Sequence, residues 1–250
     1  DNKMIEPFNL SWIILTILQF TLPFILASRY KDKTRDEKLR FLFYLSSATA
    51  ILWLIYKIGL SIDPEYPSFN FWNELPFHAC NTTIILGILA SRFDKKTIMA
   101  YCFFVGVPCA FLSLLMPDLD FVRLPILSIR AIGYYGTHAL IIVMGLLFAL
   151  FGLFKINYKS AAKSIGFFVV MSTLIHVVNI ILRLTVFPDA SYYYTFGFDE
   201  NTILRALYRF IPVPLLYMVP IFFFALIIVW IETFIIRFVG KHSKRTQFDR

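Results

Sequence analysis

The sequence predicts an all-α, polytopic membrane protein with seven transmembrane helices, its N-terminus outside and its C-terminus in the cytoplasm. Of its 250 residues, 58% are hydrophobic and 16% are charged. A soluble domain has about 45–50% apolar and about 25% charged residues. The apolar excess recurs along the whole length, so spans of about 20 residues with short loops use most of the chain. We therefore expect one transmembrane domain over residues 1–250 and no second, soluble domain.

Apolar segments that could cross a membrane occur at 8–28, 41–61, 76–92, 97–116, 131–154, 164–187 and 213–236. Each is predicted to be a helix, because an unpaired backbone group in lipid costs several kcal/mol. The first segment lacks a small-residue cleavage site at its end, which indicates a retained helix and not a signal peptide. The third is short for a hydrocarbon layer of roughly 30 Å, so we expect it to borrow residues at its ends.

The basic residues are concentrated in alternate loops, and this pattern predicts the orientation. Of the 24 lysines and arginines, 17 lie in 29–40, 92–96, 155–163 and 237–250. The other loops, 62–75, 117–130 and 188–212, hold only Arg123, Arg130, Arg205 and Arg209. Since basic loops stay in the cytoplasm, the first set is placed there. The net charge of +8 then reflects orientation and contact with anionic lipid heads, and not nucleic acid.

A short amphipathic helix is predicted in the last outer loop. Asn201 is a suitable capping residue, and apolar residues follow it at helical spacing. These apolar residues are Ile203, Leu204, Leu207 and Phe210. We expect this helix to lie on the outer membrane surface.

Candidate functional residues share one depth in the predicted topology. Polar and ionisable side chains are costly inside a bilayer, so they are functional candidates by default. Those in the outer half of the third, fifth and sixth segments are His78, Cys80, Asn81, His138, His176, Asn179 and Arg183. The last three lie on one helical face, since they are spaced at i, i+3 and i+7. Their convergence predicts a polar pocket that opens toward the outer leaflet of the cell membrane.

The chemistry that this set can support is limited. Cys80 and a nearby histidine could form a thiolate–imidazolium pair that attacks an acyl ester. A second histidine or Asn179 could orient the base, and Arg183, Arg130 or Arg123 could hold a lipid phosphate. The His-x-Cys spacing is not a usual zinc pattern, so we expect no metal, and no motif indicates a cofactor.

Structural readings of the same residues stay open. A buried cysteine is usually a small, inert hydrophobe, and a histidine at a helix end is often simply packed and hydrogen-bonded. Arg183 could snorkel to the interface. The last segment contains no lysine, so a retinal Schiff base of the rhodopsin kind is unsupported.

Five stretches of the chain, taken in order, resemble the YwaF/TMEM164-like family of seven-helix integral membrane proteins. They are residues 75–80, 136–138, Asn179, 190–197 and 211–217. The eukaryotic branch of that family is associated with phospholipid acyltransferase activity, with a cysteine as the acyl-carrying nucleophile. The resemblance implies this role for Cys80, with His138 or His78 as the base.

The leading hypothesis is a membrane-embedded acyltransferase or acyl hydrolase that acts on phospholipid. Cys80 would attack the ester, His138 would be the base, Asn179 the orienter or oxyanion donor, and Arg183 would engage the head group. His176, Asn81 and Arg130 would line the substrate site. A transporter or flippase that binds its substrate in the same pocket is the alternative. A receptor or scaffold is a third reading, although short loops leave few surfaces for a soluble protein partner, and none is expected.

Overall fold

The structure, a computed structural model, describes residues 4–197 and 202–248. The helices are α1 Leu10–Arg29, α2 Arg35–Ser61, α3 Ala79–Phe93, α4 Lys96–Tyr101, α5 Val107–Leu115, α6 Ile129–Leu150, α7 Tyr158–Thr185, α8 Thr202–Phe210 and α9 Val219–Phe248. A π-helical segment, Cys102–Gly106, joins α4 to α5. Strands β1 Met4–Ile5 and β2 Leu124–Pro125 pair antiparallel. The predicted all-α class is therefore confirmed.

Six helical stretches are long and apolar enough to cross a membrane. They are Leu10–Arg29, Arg35–Ser61, Lys96–Leu115, Ile129–Leu150, Tyr158–Thr185 and Leu216–Phe238. Each overlaps a predicted segment, and together they make a multi-pass membrane protein. The apolar helix α3 has 15 residues, which at 1.5 Å per residue is about 22 Å, less than the hydrocarbon thickness. The count of seven spans and the orientation stay predictions.

Two helices begin earlier than their apolar segments because polar residues cap them. Thr34 forms a capping box with Glu37, so α2 begins at Arg35 and not at the predicted residue 41. Asn157 forms the same arrangement with Ser160, so α7 begins ahead of the predicted 164. Helix α6 ends at Leu150, ahead of the predicted residue 154. Gly152 follows in the left-handed region, with a φ of +69°, as is common after the end of a helix.

The chain has two compact units, Asp1–Phe154 and Lys155–Arg250, named here unit 1 and unit 2. In unit 1, α6 is the most buried of the spanning helices, and α1, α2, α3 and α5 pack around it. The indole of Trp12 on α1 donates to the Leu114 carbonyl at 2.8 Å. Beside Gly145 of α6 lies the Cys102 carbonyl, which would be 2.6 Å from an added Cβ. Helix α6 and the π-helical segment are therefore in direct backbone contact at this point.

In unit 2, α7 packs against α9. The segment that follows α7 folds back onto α7. The predicted helix in the last outer loop is present as α8, whereas its predicted cap Asn201 lies outside the described residues. Leu204 and Leu207 are half-buried and Arg205 and Arg209 are exposed, as expected for an amphipathic helix, whereas Phe210 of the predicted apolar face is exposed.

Candidate functional site

Cys80 lies in the first turn of α3. Its N-cap residue, His78, makes no capping hydrogen bond through its side chain. The first backbone N–H groups of a helix have no partner within the helix. In the described part of the chain, the backbone N–H groups of Ala79, Cys80 and Asn81 donate to no acceptor. A thiol in such a turn is close to donors that can stabilise a thiolate or an oxyanion.

The Cys80 sulfur has one hydrogen-bond partner among the described residues, the Ser113 hydroxyl on α5 at 3.6 Å. Ser113 also donates to the Cys109 carbonyl at 3.1 Å. Since the Ser113 proton is used there, the Cys80 thiol is the donor in the contact between the two. Within the described ranges no histidine is hydrogen-bonded to the sulfur, so the structure does not contain the expected thiolate–imidazolium pair as a formed contact.

His138 on α6 is oriented by its own helix. Its Nδ1 lies 2.7 Å from the Tyr134 carbonyl oxygen, and its ring centroid is 4.6 Å from that of Tyr134. A carbonyl can only accept, so Nδ1 carries the proton and Nε2 of the neutral ring has the free lone pair. Nε2 has no hydrogen-bond partner within the described ranges. The half-buried imidazole therefore has one ring nitrogen that can accept a proton.

Tyr134 connects the surroundings of the cysteine to the histidine. Its hydroxyl donates to the Ser113 carbonyl at 2.8 Å, and its ring stacks on Phe121 at 4.6 Å. The same ring contacts His138. Thus one fixed side chain touches both the residue that binds Cys80 and the candidate base. Sequence reasoning did not single out Tyr134 or Ser113, since a tyrosine and a serine in apolar helices carry no distinctive signal.

A charged pair lies near both histidines of unit 1. Lys57 on α2 forms an ion pair with Glu74, and both side chains are largely buried. Glu74 also accepts from the Tyr66 hydroxyl at 3.3 Å, and burial raises the pKa of Tyr66. The Lys57 ammonium acts electrostatically on His78 and His138. Sequence reasoning missed Lys57, although a lone cation in an apolar segment was a usable signal.

Three other predicted residues of unit 1 have different surroundings. Arg130 is buried, with Nε 3.0 Å from Asp63 and a terminal nitrogen 2.6 Å from Glu65. Two carboxylates therefore already engage the guanidinium that was expected to hold a phosphate. Asn81 is half-buried in the same turn as Cys80, and His78 Nε2 is 3.3 Å from the Asn73 carbonyl oxygen.

The three predicted residues of unit 2 share one helical face, as expected, and they hold the loop that follows α7. Asn179 is fully buried and donates to the Tyr192 carbonyl and the Thr195 hydroxyl, both at 2.8 Å. It also accepts from the Tyr192 N–H at 3.0 Å. His176 Nδ1 is 2.9 Å from the Thr195 hydroxyl. These contacts make Asn179 the anchor of the loop.

Arg183 completes the same loop contact. It donates to the Ala190 carbonyl at 3.0 Å, and its guanidinium carbon lies 4.6 Å from the Phe196 ring centroid. The ring of His176 is 4.7 Å from that of Phe196. Phe196 is therefore in contact with both an imidazole and a guanidinium. Catalytic and substrate-binding roles for His176, Asn179 and Arg183 stay predictions.

Replacing Asn179 with alanine should release this loop locally. The Tyr192 N–H would lose its bond to the Asn179 side chain, and the Tyr192 carbonyl would keep only the Thr195 N–H as a backbone donor. A buried group that loses its hydrogen bond costs about 1–3 kcal/mol. We expect the Tyr192 amide to exchange its hydrogen about 10-fold to 100-fold faster, measured by hydrogen–deuterium exchange. Thr173→Ala is the matched control, because Thr173 is exposed on the same helix and bonds only within it. Equal exchange in the two variants would refute the anchor role.

One of the comparisons with known proteins identifies a family over most of the chain. A model of the TMEM164 family matches residues 4–238. No curated protein and no solved structure matches the chain.

Proposed function

Because the chain belongs to the TMEM164 family, we propose that it is a lipid acyltransferase or acyl hydrolase embedded in the cell membrane. Its substrate is a membrane phospholipid, its nucleophile is Cys80 and its base is His138. The seven-span topology with the N-terminus outside is part of the proposal, and it puts this site in the outer half of the bilayer. The resemblance to an acyltransferase branch supports the reaction class.

The observation that carries the proposal is the position of Cys80 in the uncapped first turn of α3. A cysteine at a helix N-terminus is a better nucleophile because the helix dipole and the free N–H groups favour its thiolate. The same N–H groups can donate to the oxyanion that forms when the ester carbonyl is attacked. The nucleophile and the oxyanion donors are then supplied by one turn, within the reach of a single acyl group.

His138 supplies the proton transfers. Its Nε2 accepts the Cys80 proton as the thiol leaves Ser113, and the sulfur bonds to the ester carbonyl carbon. The ester C–O bond then breaks, the lysophospholipid oxygen takes the proton from His138, and a thioester remains on Cys80. In the second half, an acceptor hydroxyl or water gives a proton to His138 and attacks the thioester. The C–S bond breaks and the Cys80 sulfur takes this proton back from His138, so both residues return to their starting state.

The contact between Cys80 and Ser113 is the resting state in this scheme. Catalytic hydrogen bonds are often long or unformed without substrate and tighten when it binds. A rotation about the Cys80 Cα–Cβ bond would release the thiol from Ser113. Arg130 is left out of the substrate contacts because Asp63 and Glu65 already bind it.

The covalent intermediate gives a direct test. Purified protein in nanodiscs is incubated with phospholipid that carries an alkyne-tagged acyl chain, and labelled protein is detected after quenching. We expect wild type to carry one acyl chain that hydroxylamine removes, as a thioester requires, and Cys80→Ala to carry none. Cys109→Ala is the matched control, since Cys109 is also half-buried and contacts Ser113 only through its backbone carbonyl.

Two outcomes would reject the mechanism. Equal labelling of wild type and Cys80→Ala would remove the nucleophile from the scheme. Phospholipid flux across proteoliposomes without any acyl release would favour the flippase alternative, in which the polar groups bind the substrate and form no covalent bond.

A further inference from the structure

A cavity of about 300 Å³ opens at the end of unit 1 that carries the basic loops. One face of α2 forms its longer wall, through residues spaced at i, i+3, i+4, i+7 and i+8. These residues are Asp36, Leu39, Arg40, Phe43 and Tyr44. Ser91 and Arg92, from the last turn of α3, form the facing wall. The volume is at the lower end of the range for small-ligand sites, about 300–1,000 Å³.

Both arginines of this cavity are exposed, and neither has an ion-pair partner among the described residues. Two of the nearby carboxylates are engaged elsewhere, and a third, Asp36, lines the cavity itself. Asp94 forms an ion pair with Arg35, which holds the pKa of the Asp94 carboxyl below its usual range. Glu37 caps α2 and pairs with Lys33 at 2.9 Å. Two guanidiniums are therefore left open toward one cavity.

The remaining lining is suited to a lipid. Leu39 and Phe43 provide an apolar floor between the charged residues, and Tyr44 has its ring largely exposed on the same helix face. Tyrosine is common at the level of lipid head groups, where one end is apolar and the other is wet. Asp36 adds one carboxylate to the rim. A phosphate and an amine group thus each find a side chain of opposite charge beside an apolar surface.

We propose that this cavity binds the phosphate of a phospholipid head group from the leaflet on the side of the basic loops. Arg40 and Arg92 contact the phosphate, since a guanidinium can form paired hydrogen bonds with its oxygens. Asp36 receives the head-group amine, so a zwitterionic phosphatidylethanolamine is preferred to an anionic lipid. This site is separate from the Cys80 and His138 region and does not depend on any catalytic role for those residues.

The ion pair between Arg35 and Asp94 keeps the two walls in place. It joins the start of α2 to the residue that follows α3, and Arg35 also donates to the Leu153 carbonyl at 2.9 Å. Asp94 is in the left-handed region, with a φ of 48°, so the chain turns sharply beside Arg92. Because the walls are fixed by contacts outside the cavity, the lining residues can be changed without unfolding the helix pair.

The test is a titration of the purified full chain in detergent with soluble short-chain lipids, followed by calorimetry. The probes are dihexanoyl phosphatidylethanolamine, dihexanoyl phosphatidylglycerol and inorganic phosphate. We expect wild type to bind the first most tightly and inorganic phosphate most weakly. The double variant R40Q/R92Q should lose affinity for both lipids by about tenfold or more, since charge-assisted contacts to phosphate are removed.

Arg29→Gln is the matched control, because Arg29 is an exposed arginine on the same basic side that does not line the cavity. It should bind as wild type does. Asp36→Asn should lose the preference for phosphatidylethanolamine over phosphatidylglycerol. Wild-type affinity in R40Q/R92Q, or an equal loss in R29Q, would overturn the site. Inorganic phosphate that binds as tightly as lipid would overturn the lipid assignment.

Discussion

Replacing His138 with alanine should lower acyl release from phospholipid by about 10²-fold to 10⁴-fold, the usual contribution of a positioned general base. The expected reason is the loss of Nε2, the nitrogen left free when Nδ1 donates to the Tyr134 carbonyl. The measurement is turnover of a labelled phospholipid by purified protein in nanodiscs. His138→Asn should be equally slow, since an amide can donate to the same carbonyl but cannot take the proton.

The control for His138 is Ile132→Ala, at an exposed position of the same helix. It should keep turnover within about twofold of wild type, because a surface change away from partners has little effect. The kinetics also separate two roles. The loss of a general base lowers mainly kcat, whereas the loss of a residue that only binds substrate raises mainly KM. Wild-type kcat in His138→Asn would remove His138 from the reaction.

Replacing Gly145 with alanine should clearly destabilise unit 1. The added Cβ would meet the Cys102 carbonyl at 2.6 Å and the side chain of Val107. The carbonyl belongs to the backbone and cannot rotate away as a side-chain end can. Overpacking costs about 1–3 kcal/mol, which exceeds the gain of about 0.5–1 kcal/mol for alanine over glycine in a helix. Thermal unfolding in detergent measures the difference.

Gly166→Ala is the matched control for this change. Gly166 is also within a spanning helix, α7, but an added Cβ there has nothing within 4 Å. Its midpoint temperature should equal or exceed that of wild type. If Gly145→Ala is as stable as Gly166→Ala, α6 does not depend on close contact with the π-helical segment.

The helical class and the approximate positions of the spans could be predicted, because unsatisfied backbone groups in lipid leave no other choice. The ends of helices were harder to predict. Hydropathy marks the apolar part of α2, whereas the helix begins at the capping residue Thr34, well outside that part. The π-helical segment Cys102–Gly106 was not predictable from a sequence pattern, since it depends on how the stretch Lys96–Leu115 packs against α6.

The candidate site was predicted in part. Residues such as Cys80 and His138 are visible because they are polar in an apolar sequence. The contacts that decide their roles are not visible, because they involve a backbone carbonyl, a serine and a tyrosine from other turns or helices. The partners of Arg130 could not be predicted either. Its charge is apparent in the sequence, but its engagement by Asp63 and Glu65 depends on the folded loop.

The bonds of Asn179 also constrain how the chain is made. A buried amide that enters lipid without partners is costly, and its partners Tyr192 and Thr195 follow it by 13 and 16 residues. At about 5–20 residues per second, the ribosome delivers both within about three seconds of Asn179. The buried amide of Asn179 is thus satisfied by the next stretch of nascent chain. Its hydrogen bonds need no later helix, so the order of synthesis itself protects this asparagine.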